Sequence, residues 1–279
     1  MHKYSHRLLA VTMGVLVLVL VSESVLGGAR AQAVPWTPSV DITVDDEADR
    51  FVGTGGLVLP ATVAEGTRRE VAECTECRWR LREPCAGVFA PGCIIVLYSC
   101  AGVDEQLLRA WLSHDGGATW QNRGLICVSA AGPVTVAAAG AAVQDDFERS
   151  MPSSRITYQP GRGVLPYLPV IFDSGQPQSV PSTSYQVAGQ EVVLSPTPRW
   201  TWDFGDGTGL ATAIAGSAFP DLAVAHGYSR GGRYRVMVTT IWSATYTVDG
   251  LGPFPVPAPV TQTDTTVVPV GQARGVLIP

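Results

Sequence analysis

Between Arg233 and Thr240 the side chains alternate without a break. Tyr234, Val236, Val238 and Thr240 fall on one face, and Arg233, Arg235, Met237 and Thr239 on the other. That period suits a half-buried antiparallel strand, with one face on a core and the other in water. Upstream, Gln190–Ser195 and Arg199–Phe204 read as two more strands, the second running into the turn Gly205-Asp206-Gly207. Ala223–Tyr228 leads into the alternating strand, and Thr245–Val248 reads as a further one. Elsewhere short Val, Thr, Ile and Tyr runs are separated by the chain's 30 glycines and 21 prolines. Spacing of this kind marks many turns and short strands. The chain reads as all-β.

The run Arg199-Trp200-Thr201-Trp202-Asp203-Phe204-Gly205-Asp206-Gly207, then His226-Gly227-Tyr228, then Gly232-Arg233-Tyr234, resembles the signature of a PKD domain. The resemblance implies an extracellular immunoglobulin-like β-sandwich that binds or spaces and carries no chemistry of its own. It implies that Trp202 and Phe204 frame the sandwich core, that Asp203 and Asp206 brace the turn, and that His226 is structural. Two departures make this a PKD-like variant. The stretch Thr208–Ala225 is longer than the family's, and Trp242 and Tyr246 stand where the family carries smaller residues. The layout is also similar to secreted PKD-like proteins of high-GC Gram-positive bacteria, which the lysine-poor, arginine-using composition matches.

All six cysteines, Cys74, Cys77, Cys85, Cys93, Cys100 and Cys127, fall within one segment. An even, clustered set behind a secretory segment reads as a disulfide framework, with 15 connectivities open. Cys74-Thr75-Glu76-Cys77 has redox spacing, but such motifs use a helix N-terminus to lower the thiol pKa, and Val71–Arg82 offers no clear helical period. Zinc held by Cys74, Cys77, Cys85 and Cys93 lacks a second C-x-x-C pair. No metal and no cofactor are expected. Within the same segment Ser113, Asp115, Gly117, Thr119 and Trp120 resemble an Asp-box hairpin between strands Leu107–Leu112 and Gln121–Val128. A single copy cannot build a propeller, which repeats its blade at least four times.

Met1–Arg7 is basic, Leu8–Val21 is uncharged and apolar, and Ala31-Gln32-Ala33 closes the pattern of a secretory signal peptide. The apolar run is shorter than the ~18–20 residues of a spanning helix. Secretion or cell-surface display is therefore expected, the alternative being an uncleaved N-terminal anchor, which would be the chain's only membrane contact. The formal charge is −5, and removing the signal makes it more negative. An acidic chain is a poor partner for nucleic acid. The expected organisation is a signal peptide at 1–33, an extended acidic segment at 34–64, a Cys-rich β domain at 65–142, a linker at 143–154, and a PKD-like sandwich at 155–279 with its core at 185–250.

No catalytic constellation stands out. After signal cleavage only His114 and His226 remain as histidines. Asp203 and Asp206 sit three apart in a glycine turn, where bracing explains them better than glycoside hydrolysis. Trp200, Trp242 and Tyr246 could stack on sugar rings if their sheet face is exposed; otherwise they fill the core. The expected function is non-catalytic: an interaction or structural module of the bacterial cell envelope, with an envelope protein or cell-wall glycan as partner. The alternative is an accessory component of, or small enzyme in, envelope processing.

Overall fold

The computed structural model describes residues 32–33, 49–84 and 100–272. Residues 1–31 of the signal segment, Asp41, Asp45, Asp46, Glu47, the apolar residues 94–98, Cys85 and Cys93 lie outside the described residues. In chain order the elements are β1 (Gln32–Ala33), β2 (Asp49–Thr54), α1 (Glu65–Glu73), β3 (Arg78–Arg82), β4 (Glu105–Ser113), β5 (Gln121–Ser129) and α2 (Val136–Ser150). There follow β6 (Thr157–Gln159), β7 (Pro169–Asp173), β8 (Thr183–Val187), β9 (Gln190–Asp203), β10 (Gly209–Thr212), β11 (Ala225–Gly227), β12 (Gly232–Val248), β13 (Leu251–Pro255) and β14 (Val260–Val270). The protein is built mostly of strands.

The cysteine-bearing part is a four-stranded sheet in the order β2-β3-β4-β5. One face buries Trp79, Leu81, Leu108, Ala110, Leu112, Ile126 and Val128 against Val71 of α1 and Leu57 and Leu59 of the preceding chain. Gly53 has to be glycine, because a Cβ there would lie 2.2 Å from the Trp79 ring. On the other face the Arg80 guanidinium sits 4.1 Å from the centre of the Trp120 ring. Disulfides join Cys74 to Cys77 and Cys100 to Cys127.

The second part is a β-sandwich. Its large sheet is centred on β12, which pairs with β9 along one side and with β14 and then β13 along the other. Alternation continues past Thr240 through Trp242, Ala244, Tyr246 and Val248, all buried, so the two strands expected here are one. The two expected at Gln190–Ser195 and Arg199–Phe204 also merge, into β9, despite Pro196 and Pro198. Along its second edge β9 pairs β8 at Gln190–Leu194 and β10 at Trp200–Asp203. Both prolines fall in the gap between those partners and share one parity, so the N–H that each lacks is missed by no strand.

One face of this long sheet is covered in two halves. The small sheet β11-β7-β6 packs on Trp200, Trp202, Phe204, Val236, Val238, Val268 and Val270. Helix α2 covers the rest: Ala139, Val143 and Phe147 pack with Tyr185, Val187, Leu194, Trp242, Tyr246 and Val248. The expected linker 143–154 is thus largely helix, and its apolar residues belong to the sandwich core. The helix begins where the Thr135 hydroxyl accepts from the Ala138 N–H at 3.1 Å, a side-chain N-cap. A second unexpected helix, α1, has only Val71 and Ala72 as buried apolar residues, too few for a visible period.

Candidate functional site

The turn after β9 is held by its own acids. Asp203 Oδ1 accepts from Gly205 N at 2.9 Å, and Asp206 Oδ1 accepts from Thr208 N at 3.1 Å and from its hydroxyl at 2.6 Å. The other Asp206 oxygen faces His226 Nε2 at 2.7 Å. Partial burial pushes the Asp206 carboxyl up, but the Thr208 and His226 hydrogen bonds outweigh it and hold the group below the usual carboxylate range. Gly205 has φ +79°, and a Cβ there would lie 2.4 Å from the Arg235 carbonyl. His226 stacks on Phe204 at 4.3 Å, and the Tyr228 hydroxyl donates to the Phe204 carbonyl at 3.1 Å. Tyr228 in turn stacks on Tyr234 at 4.2 Å. Both carboxylates are occupied as turn acceptors, and the histidine is tied to one of them.

Trp200, Trp242 and Tyr246 are buried, at 0%, 0% and 3% exposure. The sugar-platform expectation for them is therefore corrected: their even-numbered face is the one covered by α2 and the small sheet. Trp200 meets Trp242 edge-on at 6.3 Å. The Tyr246 hydroxyl donates to the Val136 carbonyl at 2.7 Å, and burial pushes that phenol up to about 12.

Exposed apolar side chains gather instead on two loops that flank the small sheet. The first, 160–168, displays Leu165, Tyr167 and Leu168; the second, 213–224, displays Phe219 and Leu222. Tyr167 is 80% exposed and Phe219 72%. The Gln159 side chain, at the end of β6, accepts from Phe219 N at 2.9 Å and ties the second loop to the strand that precedes the first. Tyr167 has φ +66°, a region unfavourable for a bulky residue. Its N–H donates to the Tyr228 carbonyl at 2.8 Å, and Gly271 N donates to Val164 O at 2.8 Å. In the second loop Asp221 accepts from the Ser217 hydroxyl and from Ala223 N, at 2.6 and 2.9 Å. Well-braced backbone thus presents apolar groups to water. No sequence period marks such a surface; its signals are single large apolar residues among Pro and Gly.

In the hairpin between β4 and β5, Ser113 Oγ donates to Asp115 Oδ1 at 2.7 Å and accepts from Gly117 N at 2.8 Å. Asp115 also accepts from Thr119 N and the Thr119 hydroxyl, at 2.8 and 2.6 Å. These bonds, led by the Thr119 hydroxyl, hold its carboxyl far below the usual range. Trp120 lies half-buried under Arg80. The turn also carries His114 to the Cys74–Cys77 disulfide, with Nδ1 3.1 Å from Cys77 Sγ. A cleft lined by Val58, Glu105, Val128, Val134, Ala188 and Gln190 has a volume of ≈ 130 Å³, well short of the ~300–1,000 Å³ of ligand pockets. Among the described residues no helix is long and apolar enough to cross a membrane.

Residues 178–241 match the model of the PKD domain family. Domains of this family are generally non-catalytic, immunoglobulin-like and extracellular. The match spans β8 to the middle of β12 and so takes in the turn acids, His226 and Tyr228. No curated protein matches this chain.

Proposed function

We propose that this protein is a secreted or surface-displayed, non-catalytic interaction module of a bacterial cell envelope, and that it docks through loops 160–168 and 213–224. The observation that carries the reading is Tyr167, held at φ +66° and 80% exposed, with Phe219 72% exposed on the second loop. A strained, braced, water-facing aromatic adds nothing to the core, whereas aromatic anchors supply much of the energy of protein and glycan interfaces. The rest of the surface fits a neutral role. On the outer face of the large sheet Thr201, Thr245, Thr261, Thr263 and Thr265 are exposed and separate the exposed Met237, Ile241 and Val267.

The test is retention of the oxidised chain from residue 34 on washed cells and on protein-stripped cell wall. Retention on stripped wall identifies a glycan partner; retention on whole cells alone identifies a protein. In either case Tyr167→Ser with Phe219→Ser is expected to weaken retention at least about tenfold, since anchor residues contribute ~2 kcal/mol or more each. Unchanged retention by a folded double variant would remove the loops from the reading. Turnover of glycan or peptide substrates by the purified chain would overturn it and favour an envelope-processing role.

A further inference from the structure

We infer that Cys74–Cys77 is a thiol–disulfide exchange site, with Cys74 as the attacked sulfur, Cys77 as the leaving sulfur and His114 as the group that protonates the departing thiolate. The inference is independent of the docking loops. Its substrate class is a thiol or dithiol, on a small molecule or on a partner protein outside the cell.

The geometry separates the two sulfurs. Cys74 is half-buried and Cys77 is 1% exposed, so an incoming thiolate reaches Cys74. Cys74 is also the residue that ends α1, where the helix's negative end opposes a thiolate. Cys74 is therefore suited to carry a neutral mixed disulfide rather than the charge. The charge goes to Cys77, which faces His114 Nδ1 at 3.1 Å, while Cys74 Sγ is 3.7 Å from the same nitrogen. The far ring nitrogen, Nε2, lies 3.4 Å from Glu70 Oε1. In the protonated ring both N–H groups have an acceptor: Glu70 Oε1, which also pairs with Arg123, on one side and the sulfur on the other. Thiolates are stabilised by such neighbours, and exchange is faster the better the leaving sulfur holds charge.

The step balances as follows. The incoming thiolate forms a bond to Cys74 Sγ as the Cys74–Cys77 bond breaks; the electron pair leaves on Cys77 Sγ, which takes the Nδ1 proton of His114. The second thiol of a dithiol then gives its proton to the neutral His114 and attacks the substrate sulfur of the mixed disulfide, releasing Cys74 as a thiolate that takes the proton the first thiol gave to solvent. The dithiol is oxidised to a disulfide by two electrons, and the protein disulfide is reduced to two thiols.

Cys100–Cys127 is an internal contrast. Its neighbour is an acid: the Glu105 carboxylate lies within 4.8 Å of both sulfurs, which disfavours a departing thiolate.

The experiment treats the intact oxidised chain with limiting dithiothreitol, quenches by alkylation and maps the labelled cysteines. Cys74 and Cys77 are expected to be labelled about threefold or more faster than Cys100 and Cys127, because a leaving sulfur that holds charge better departs faster. With glutathione as a monothiol, the mixed disulfide should sit on Cys74. His114→Gln should remove most of the advantage and leave the Cys100–Cys127 rate unchanged, which a merely unfolded hairpin would not do. Glu70→Gln, which also removes the ion pair with Arg123, should slow the first bridge by a smaller factor. Equal rates for the two bridges, an undiminished advantage in both variants, or a mixed disulfide on Cys77 would overturn the assignment.

Discussion

Gln176 sits inside the sandwich with all its polar atoms used. Its Oε1 accepts from Trp200 Nε1 at 2.8 Å and from the Thr240 hydroxyl at 2.7 Å. Its Nε2 donates to the Pro152 carbonyl and to Gln262 Oε1, both at 2.7 Å. Gln176→Leu would leave the indole N–H and the threonine hydroxyl buried without partners. Each such group costs about 1–3 kcal/mol, so a loss of at least about 2 kcal/mol is expected by denaturant titration. In sequence Gln176 is one polar residue in a Ser-Gly-Gln-Pro run, with no signal separating it from loop. Asp206 was legible, because its flanking glycines and the downstream His226-x-Tyr228 define a motif. Its folded-state pKa lies below the unfolded one. Its contribution to stability is therefore fully present above the unfolded value, about 3.9, and is lost as pH falls through the folded value. The melting-temperature gap between wild type and Asp206→Asn should be full at pH 6–7 and shrink below about pH 4. A gap that persisted or grew in acid would contradict the hydrogen-bond account.

Among the elements, strands were legible and helices were not. Alternation is local and survives burial, so the face of β12 could be assigned residue by residue, and its even-numbered apolar parity runs on unbroken to Val248. The Val134–Ala142 run, by contrast, is small and aliphatic, a composition that fits strand or helix alike. The helical evidence is the spacing Ala139, Val143, Phe147, which straddles the boundary expected at residue 143. The Asp249-Gly250 turn, with φ +46° and +75°, is a further signal that joins β12 to β13. Two glycines test the helices. In α2, a Cβ at Gly140 would lie 2.6 Å from the Tyr246 hydroxyl, so Gly140→Ala should destabilise by about 1–3 kcal/mol through overpacking. In α1, Gly66 has nothing within 4 Å of its ideal Cβ, so Gly66→Ala should stabilise by up to about 1 kcal/mol through helix propensity alone. Thermal melts of the two variants should move in opposite directions.

At the scale of the molecule, the family match and the core do not coincide. The matched residues end at Ile241, one position before Trp242. Trp242, Ala244, Tyr246 and Val248 therefore lie beyond the match, on the half of the sheet that α2 covers. That half is covered from the N-terminal side of the chain, and α1 reinforces it: Arg68 donates to the Leu59 and Asp249 carbonyls, each at 3.1 Å. A boundary at residue 155, natural from the motif alone, would cut α2 away. Phe147 is fully buried, and removing a buried Phe side chain costs about 3–5 kcal/mol. Losing Ala139, Val143 and Phe147 together approaches the ~5–15 kcal/mol that holds a whole domain. A fragment of residues 155–272 should therefore expose Tyr185, Trp242 and Tyr246, bind a hydrophobic dye and melt without a sharp transition. A fragment of residues 132–272, which keeps α2 and its Thr135 cap, should unfold cooperatively. Equal melting temperatures for the two would mean that the small sheet and its half of the core stabilise the sandwich alone, and that α2 is a cover rather than part of the fold.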